Sequence, residues 1–181
     1  MSCIEKKKIE KKEQINAAAV KVIAHKGYHD ATMQDIATEA GLAVGTLYNY
    51  FSNKADLILS IFYEKWEEFQ IGMKNYIKDT VDFEELSQRR FKYLMNFFIQ
   101  HPDYIRILFA QMTNFIVIEE DLREELIEIK EMVINEAAVH LELGREKKYY
   151  NFKGDAKVLA HAILGILQSF LVNTIVFAKE I

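Results

Sequence analysis

One cysteine, Cys3, in a chain of 181 residues leaves nothing from which to build a disulfide framework or a cysteine-rich metal site, and it is compatible with a reducing cytoplasm. One proline, Pro102, and only seven glycines leave few places where a helix must stop. Alternating polar and apolar runs of the strand type are also missing, so the expected fold is all-α. None of the five histidines, His25, His29, His101, His140 and His161, forms an i,i+4 pair with a carboxylate motif, so a metal site is not expected. There is no Gly-Xaa-Ser-Xaa-Gly elbow and no glycine loop to cradle a phosphate, so neither catalysis nor a cofactor is expected. The first dozen residues are charged and lack the apolar core of a signal peptide. What is plentiful is apolar content, 50% of the residues, ample for one or two small helical domains.

A formal net charge of −4 argues against a polyanion partner until it is divided along the chain. Residues 1–56 carry eight Lys/Arg and seven Asp/Glu, a balance of +1, whereas residues 57–181 carry fifteen and twenty, a balance of −5. The positive excess concentrates in Lys6, Lys7, Lys8, Lys11 and Lys12, set against Glu5 and Glu10. Such an arm is suited to sequence-independent, salt-sensitive contact with phosphates, or is simply a solvated helix start.

The most informative stretch is residues 27–54. Thr32 followed three residues later by Asp35 has the form of a capping box, which predicts a helix from about Met33 with Met33, Ile36, Ala37 and Ala40 on its buried face. Gly41 then supplies the backbone freedom for a sharp turn. A second helix is predicted from about Val44, with Val44, Leu47 and Phe51 in one stripe. That leaves Gly45, Thr46 and Asn49 on the opposite face, flanked by Tyr48 and Tyr50. A rod with such a face fits the major groove of B-DNA: small residues allow close approach, Thr and Asn can meet base edges, and tyrosine hydroxyls can reach phosphates. Ser52 or Asn53 would cap the next helix, with Asp56 near its positive end and Lys54 beside a phosphate.

These residues carry a resemblance. The stretch from Ile15 to Ile61 is similar to the DNA-binding domain of the tetracycline-repressor (TetR) family of bacterial transcriptional regulators, through Ala17-Ala18-Ala19, Lys26-Gly27-Tyr28, Thr32, Asp35-Ile36-Ala37, Ala40-Gly41, Gly45-Thr46-Leu47-Tyr48, Tyr50-Phe51 and Lys54 with Asp56-Leu57. The resemblance implies that Gln34, Val44, Gly45, Thr46, Tyr48, Asn49, Tyr50 and Lys54 lie where family members touch operator DNA. It also implies a homodimer whose heads read half-sites about 34–36 Å apart, with a small effector bound in the C-terminal part. Two positions depart from the family's usual pattern. Ala43 stands where Ser or Thr is common, which removes a cap worth roughly 1 kcal/mol. Val44 stands where a polar residue is common, which leaves only apolar contact such as to a thymine methyl.

The expected organisation is therefore a helix-turn-helix domain over residues 1–54 and a helical ligand-binding and dimerisation domain over 55–181. Beyond the head, Ile58, Ile61, Phe62, Lys65, Trp66, Phe69, Met73 and Ile77 predict a long helix to about Lys78. Asp82–Gln100 follows, with Phe83, Leu86, Phe91, Leu94, Met95 and Phe98 inward, and His101-Pro102 breaks it. A shorter helix to about Thr113, a turn near Ile118, a helix to Leu143 stopped by Gly144, and a last helix from Gly154-Asp155 complete the pattern. Phe62, Trp66, Phe69, Phe91, Met95, Phe98, Phe109 and Met112, with Phe115, are the candidate walls of an effector cavity, though each is also an ordinary core residue by type. Arg89, Arg90 and Arg106 are candidate partners for an anionic group. Similarity of the head and the next helix to fatty-acid-degradation repressors within the family favours an acyl effector over other lipophilic ligands.

Residues 158–178 hold 16 apolar residues, counting Gly165, and five polar ones, long enough to cross a bilayer. His161, Gln168, Ser169, Asn173 and Thr174 would be costly in lipid, so burial between two subunits is the expected state. Since the resemblance implies paired last helices in many relatives and only eight helices are predicted here, dimerisation is expected to rely on Ala156 to Phe177. The rival reading is a helical ligand-binding or interaction module that has lost specific DNA binding.

Overall fold

A computed structural model describes residues 3–113 and 120–176. Phe115, the turn expected near Ile118 and Phe177 lie outside the described residues, as does the side chain of Met112. Among the described residues there are eight α-helices and no strands: α1 Cys3–Lys26, α2 Met33–Ala40, α3 Val44–Tyr48, α4 Lys54–Ile77, α5 Phe83–Gln100, α6 Pro102–Thr113, α7 Glu120–Glu146 and α8 Ala156–Leu171, the last running into a π-helical turn at Val172–Val176. The predicted starts are made by the residues that signalled them. Asn53 Oδ1 accepts from Asp56 N at 2.8 Å, and the Asp56 carboxylate reaches back to Ser52 N at 2.8 Å. Asp82 caps α5 through Glu85 N at 2.9 Å, and Asp155 caps α8 through Lys157 N at 2.6 Å. At the far end of α5, His101 leaves helical geometry before Pro102.

Packing divides the chain into two compact units. One unit holds α1 to α3, α4 as far as Glu67, and α6 from Asp103; the other holds α4 from Glu68, α5, α7 and α8. In the first, α1 buries Ile15, Ala18, Ala19 and Ile23, and α4 buries Leu57, Ile58, Ile61 and Phe62. Phe62 meets Tyr104 of α6 edge to face at 5.9 Å. Asn16, only 4% exposed, donates from Nδ2 to Glu64 Oε2 at 2.5 Å and so ties α1 to α4.

In the second unit Phe69 packs edge-on against Phe97 at 5.2 Å, and Phe83 stacks on His140 at 5.0 Å. The inward face of α5 is turned from the expected one. At 3.6 residues per turn, Phe91 lies about 80° round the helix from Phe83 in one sense and Phe97 about 40° in the other. The buried side follows Phe97, at 6% exposure, and leaves Phe91 59% exposed. Polar Ser87 and Arg90 can occupy the inward side because each is satisfied there: Tyr150 Oη donates to Ser87 Oγ at 3.0 Å, and Arg90 meets Glu136 at 2.8 Å.

Gly144 is a second correction. It does not stop α7, which continues to Glu146 before Lys148 takes the left-handed conformation at φ 63°. Its missing side chain makes room instead: a Cβ there would lie 2.3 Å from the Tyr150 ring and 2.8 Å from Phe83 Cζ. Glycine to alanine inside a helix ordinarily stabilises by up to about 1 kcal/mol. At Gly144 the sign is expected to reverse, with Gly144→Ala destabilising by roughly 1–3 kcal/mol through overpacking, read as a lower midpoint in guanidinium denaturation.

Candidate nucleic-acid interface

The predicted capping box forms. Thr32 Oγ1 accepts from Asp35 N at 3.1 Å while the Asp35 carboxylate accepts from Thr32 N at 3.1 Å. Lys26 adds an ion pair to Asp35 at 2.7 Å. The bond from Lys26 and those from Thr32 stabilise the charged form, lowering the Asp35 pKa to about 2. At its other end α2 closes on Gly41, whose φ of 66° only glycine adopts without penalty. Leu42 N then reaches Ala37 O at 2.9 Å, the six-to-one bond of a Schellman turn. A side chain from α1, Gln14, donates Nε2 to Ala40 O at 2.7 Å and satisfies another carbonyl at this helix end.

The turn delivers α3, which has five residues and no side-chain cap at Ala43. Its hold on the head is apolar: Leu47 is fully buried and Phe51, just beyond, is 2% exposed. Ala43 is exposed, Val44 half-buried, and the face opposite Leu47 is open. Gly45 and Asn49 are exposed, Tyr48 is 54% exposed, and Thr46 and Tyr50 are half-buried. Gln34 is exposed on the first turn of α2. The arrangement offers a short rod with a small-residue centre, one amide, one hydroxyl and two phenols, all of which can exchange hydrogen bonds with base edges or phosphates.

Lys54 has a different employment from the phosphate contact expected of it. Its ammonium donates to the backbone carbonyls of Tyr28, His29 at 3.2 Å and Ala31 at 2.8 Å, and sits 4.4 Å above the Tyr28 ring. Three carbonyls of the segment between α1 and α2 are thereby gathered onto the first residue of α4. Nothing in the local sequence pattern marks this, nor the reach of Gln14 to Ala40, because both join positions more than twenty residues apart.

The candidate effector residues are divided between the units. Phe62 and Phe109 are buried and Trp66 half-buried in the first; Phe69 is buried, Met95 and Phe98 are half-buried and Phe91 is exposed in the second. An outward Phe91 is no wall of an interior cavity. The candidate anion-binding arginines already face carboxylates: Arg89 meets Glu85 at 2.7 Å, Arg90 meets Glu136 at 2.8 Å and Arg106 meets Asp103 at 3.5 Å. One open cleft of about 800 Å³ lies instead along α7 and the start of α8, lined by Ala138, Val139, Glu142, Arg145 and Lys157 among others.

Two outcomes test this construction. Lys54→Ala is expected to destabilise the chain by roughly 2 kcal/mol in urea melts, the scale of hydrogen bonds to a charged group, while the salt slope of any DNA binding stays unchanged. Asp35, titrating near 2 in the folded chain against 3.8 as the ordinary value, contributes stability above about pH 4 that is lost as pH falls towards 2. NMR titration is expected to place its carboxyl in that range, and Asp35→Asn to flatten the acid limb of the stability curve.

Residues 15–61 match the family described as bacterial regulatory proteins, tetR family. The fatty acid metabolism regulator protein of Bacillus subtilis is 45% identical over 80 residues, covering 44% of this chain and 41% of that one, so the match spans less than half of the relative. Among solved structures, the fatty acid degradation regulator FadR from Bacillus halodurans superposes with a TM-score of 0.79 at 29% identity, covering 90% of this chain and 82% of that one. FadR from Bacillus subtilis, solved in complex with stearoyl-CoA, superposes with a TM-score of 0.78 at 25% identity, covering 93% and 89%. With a capped α2, a glycine turn and an open-faced α3 inside the matched residues, the head of this chain, residues 15–61, matches the tetR family of bacterial regulatory proteins.

Proposed function

We propose that this chain is a homodimeric DNA-binding transcriptional repressor, released from a near-palindromic operator by a small hydrophobic effector. The observation that carries the reading is the outward face of α3. Gly45, Thr46, Tyr48 and Asn49 are presented to solvent by a helix whose other side is anchored through Leu47 and Phe51. In this reading Asn49 and Thr46 read bases, Val44 and Gly45 lie close against them, and Gln34, Tyr48 and Tyr50 position the head on phosphates. Lys54 serves by holding the head together.

The second copy would seat on α8, where Val158 (69%), Ile166 (72%) and Phe170 (54%) are exposed. Ala156–Thr174 is long and apolar enough to cross a membrane by length and composition, and only 17% of it is buried within the chain. His161, hydrogen-bonded to Lys157 O at 2.9 Å, together with Asn173 and Thr174, makes a protein surface the better cover than lipid. For the effector, the stearoyl-CoA bound by the Bacillus subtilis neighbour favours a long acyl thioester among hydrophobic ligands. Such a ligand need only differ in affinity between the DNA-competent state and the released state. By linkage, operator DNA then weakens its binding by the same factor.

The uncapped start of α3 at Ala43 favours the rival reading, an effector-binding module without specific DNA recognition. Fluorescence anisotropy at matched salt separates the two, using a duplex from the chain's own promoter and a random duplex. Preference for the promoter duplex is expected. Asn49→Ala is expected to cost roughly 1–3 kcal/mol on that duplex and little on the random one, and stearoyl-CoA to release the promoter complex. Equal binding of the unaltered protein to both duplexes supports the rival, and a monomer in analytical ultracentrifugation removes the two-headed reading.

A further inference from the structure

We propose that a groove between the first turns of α1 and Tyr50 seats one sugar–phosphate strand of duplex DNA beside α3, with Lys8 and Lys12 as its phosphate contacts; this rests on the DNA-binding reading above. The groove is lined by Glu5, Lys8, Ile9, Lys12 and Tyr50 and has a volume of about 230 Å³. Glu5, Lys8, Ile9 and Lys12 stand at steps of three, four and seven, which places them on one face of α1. Tyr50 is the second residue beyond α3, so the groove borders the rod proposed to enter the major groove.

The floor and rim differ in chemistry. Ile9, 46% exposed, and the Tyr50 ring give an apolar floor, against which a deoxyribose can lie. Lys8 and Lys12 are exposed and one helical turn apart, and among the described residues neither has a carboxylate partner. Lys12 Nζ lies 5.9 Å from the centre of the Phe51 ring, which holds its charge towards the α3 end of the groove. Two of the neighbouring lysines are already engaged: Lys6 faces Glu10 at 4.0 Å and Lys11 donates to Gln14 at 2.9 Å. Thus only part of the N-terminal basic run is directed at the strand. Glu5, at the outer end of the same groove, opposes a phosphate there, so it sets a limit on affinity that its removal should lift.

A positively rimmed groove with an apolar floor also suits an amphipathic acidic peptide, and salt dependence on DNA tells them apart. Each phosphate neutralised contributes about −0.9 to the slope of log K against log salt. In anisotropy titrations of the full chain on promoter and random duplexes, Lys8→Ala/Lys12→Ala is expected to make the slope shallower by about two on both. Lys6→Ala/Lys11→Ala is expected to change it by less than half as much, and Glu5→Gln to tighten binding to both duplexes. Thermal midpoints are expected to stay close to that of the unaltered protein, since Glu5, Lys6, Lys8 and Lys12 are exposed and only Lys11 is half-buried. A Lys8→Ala/Lys12→Ala slope equal to that of the unaltered protein, or equal effects of the two lysine pairs, overturns the groove and leaves the reading of α3 standing. An unaltered protein that binds neither duplex overturns both.

Discussion

A helix of five residues cannot hold itself in water, because nucleating a helical turn costs more than so few backbone bonds return. The open face of α3 therefore exists only because Leu47 and Phe51 are pulled into the head and because both ends of α2 are fixed. Thr32 and Asp35 satisfy the first N–H groups of α2, and Gly41 with Leu42 satisfies its last carbonyls. Gln14 and Lys54 collect others. Every one of these bonds is made by a residue that has no part in the outward face. The rod is thus specified from behind, which leaves its exposed side chains free to be chosen for what they meet.

Features that depend on near neighbours in the chain could be read before any coordinates. The capping box at Thr32, the glycine turn at Gly41, the cap at Ser52 or Asn53, the helix starts near Asp82 and Asp155 and the break at Pro102 each follow from residues within four positions of one another. Features set by distant partners could not. Lys54 carries a charge in a region expected to meet DNA, and the carbonyls that take it are 23 to 26 positions away. Gly144 has the composition of a helix stop, yet its task is set by Phe83 and by Tyr150, which arrives only after the chain has turned back. Phe91 reads as core by type, but the inward side of α5 was decided by Glu136, His140 and Tyr150, which give Ser87 and Arg90 a reason to be inside.

That polar set marks the second unit as different in kind from the head. His140 is stacked on Phe83 and within 3.1 Å of Ser87, and burial, followed by the nearby Arg90 charge, lowers its pKa. Both effects act against the protonated imidazole, and the Glu136 charge acts the other way. Gln70 and Arg90 both converge on Glu136, at 2.5 and 2.8 Å, so helices α4, α5 and α7 share one half-buried carboxylate. Directional bonds of this sort fix the register of the three helices in a way that aromatic packing alone does not. By contrast α8 keeps few such bonds on its open side, where Ile166 and Phe170 stand exposed.

The grip of Lys54 on the Tyr28–Ala31 segment has an evolutionary corollary. A carbonyl oxygen belongs to the peptide unit and is the same whichever side chain the residue bears. Substitutions at His29 and Asp30 can therefore accumulate without loosening the grip, provided the chain keeps its path. The cation enjoys no such licence, since guanidinium has another shape and a neutral residue has nothing to donate three ways. Among descendants of this protein the segment should drift while the ammonium stays.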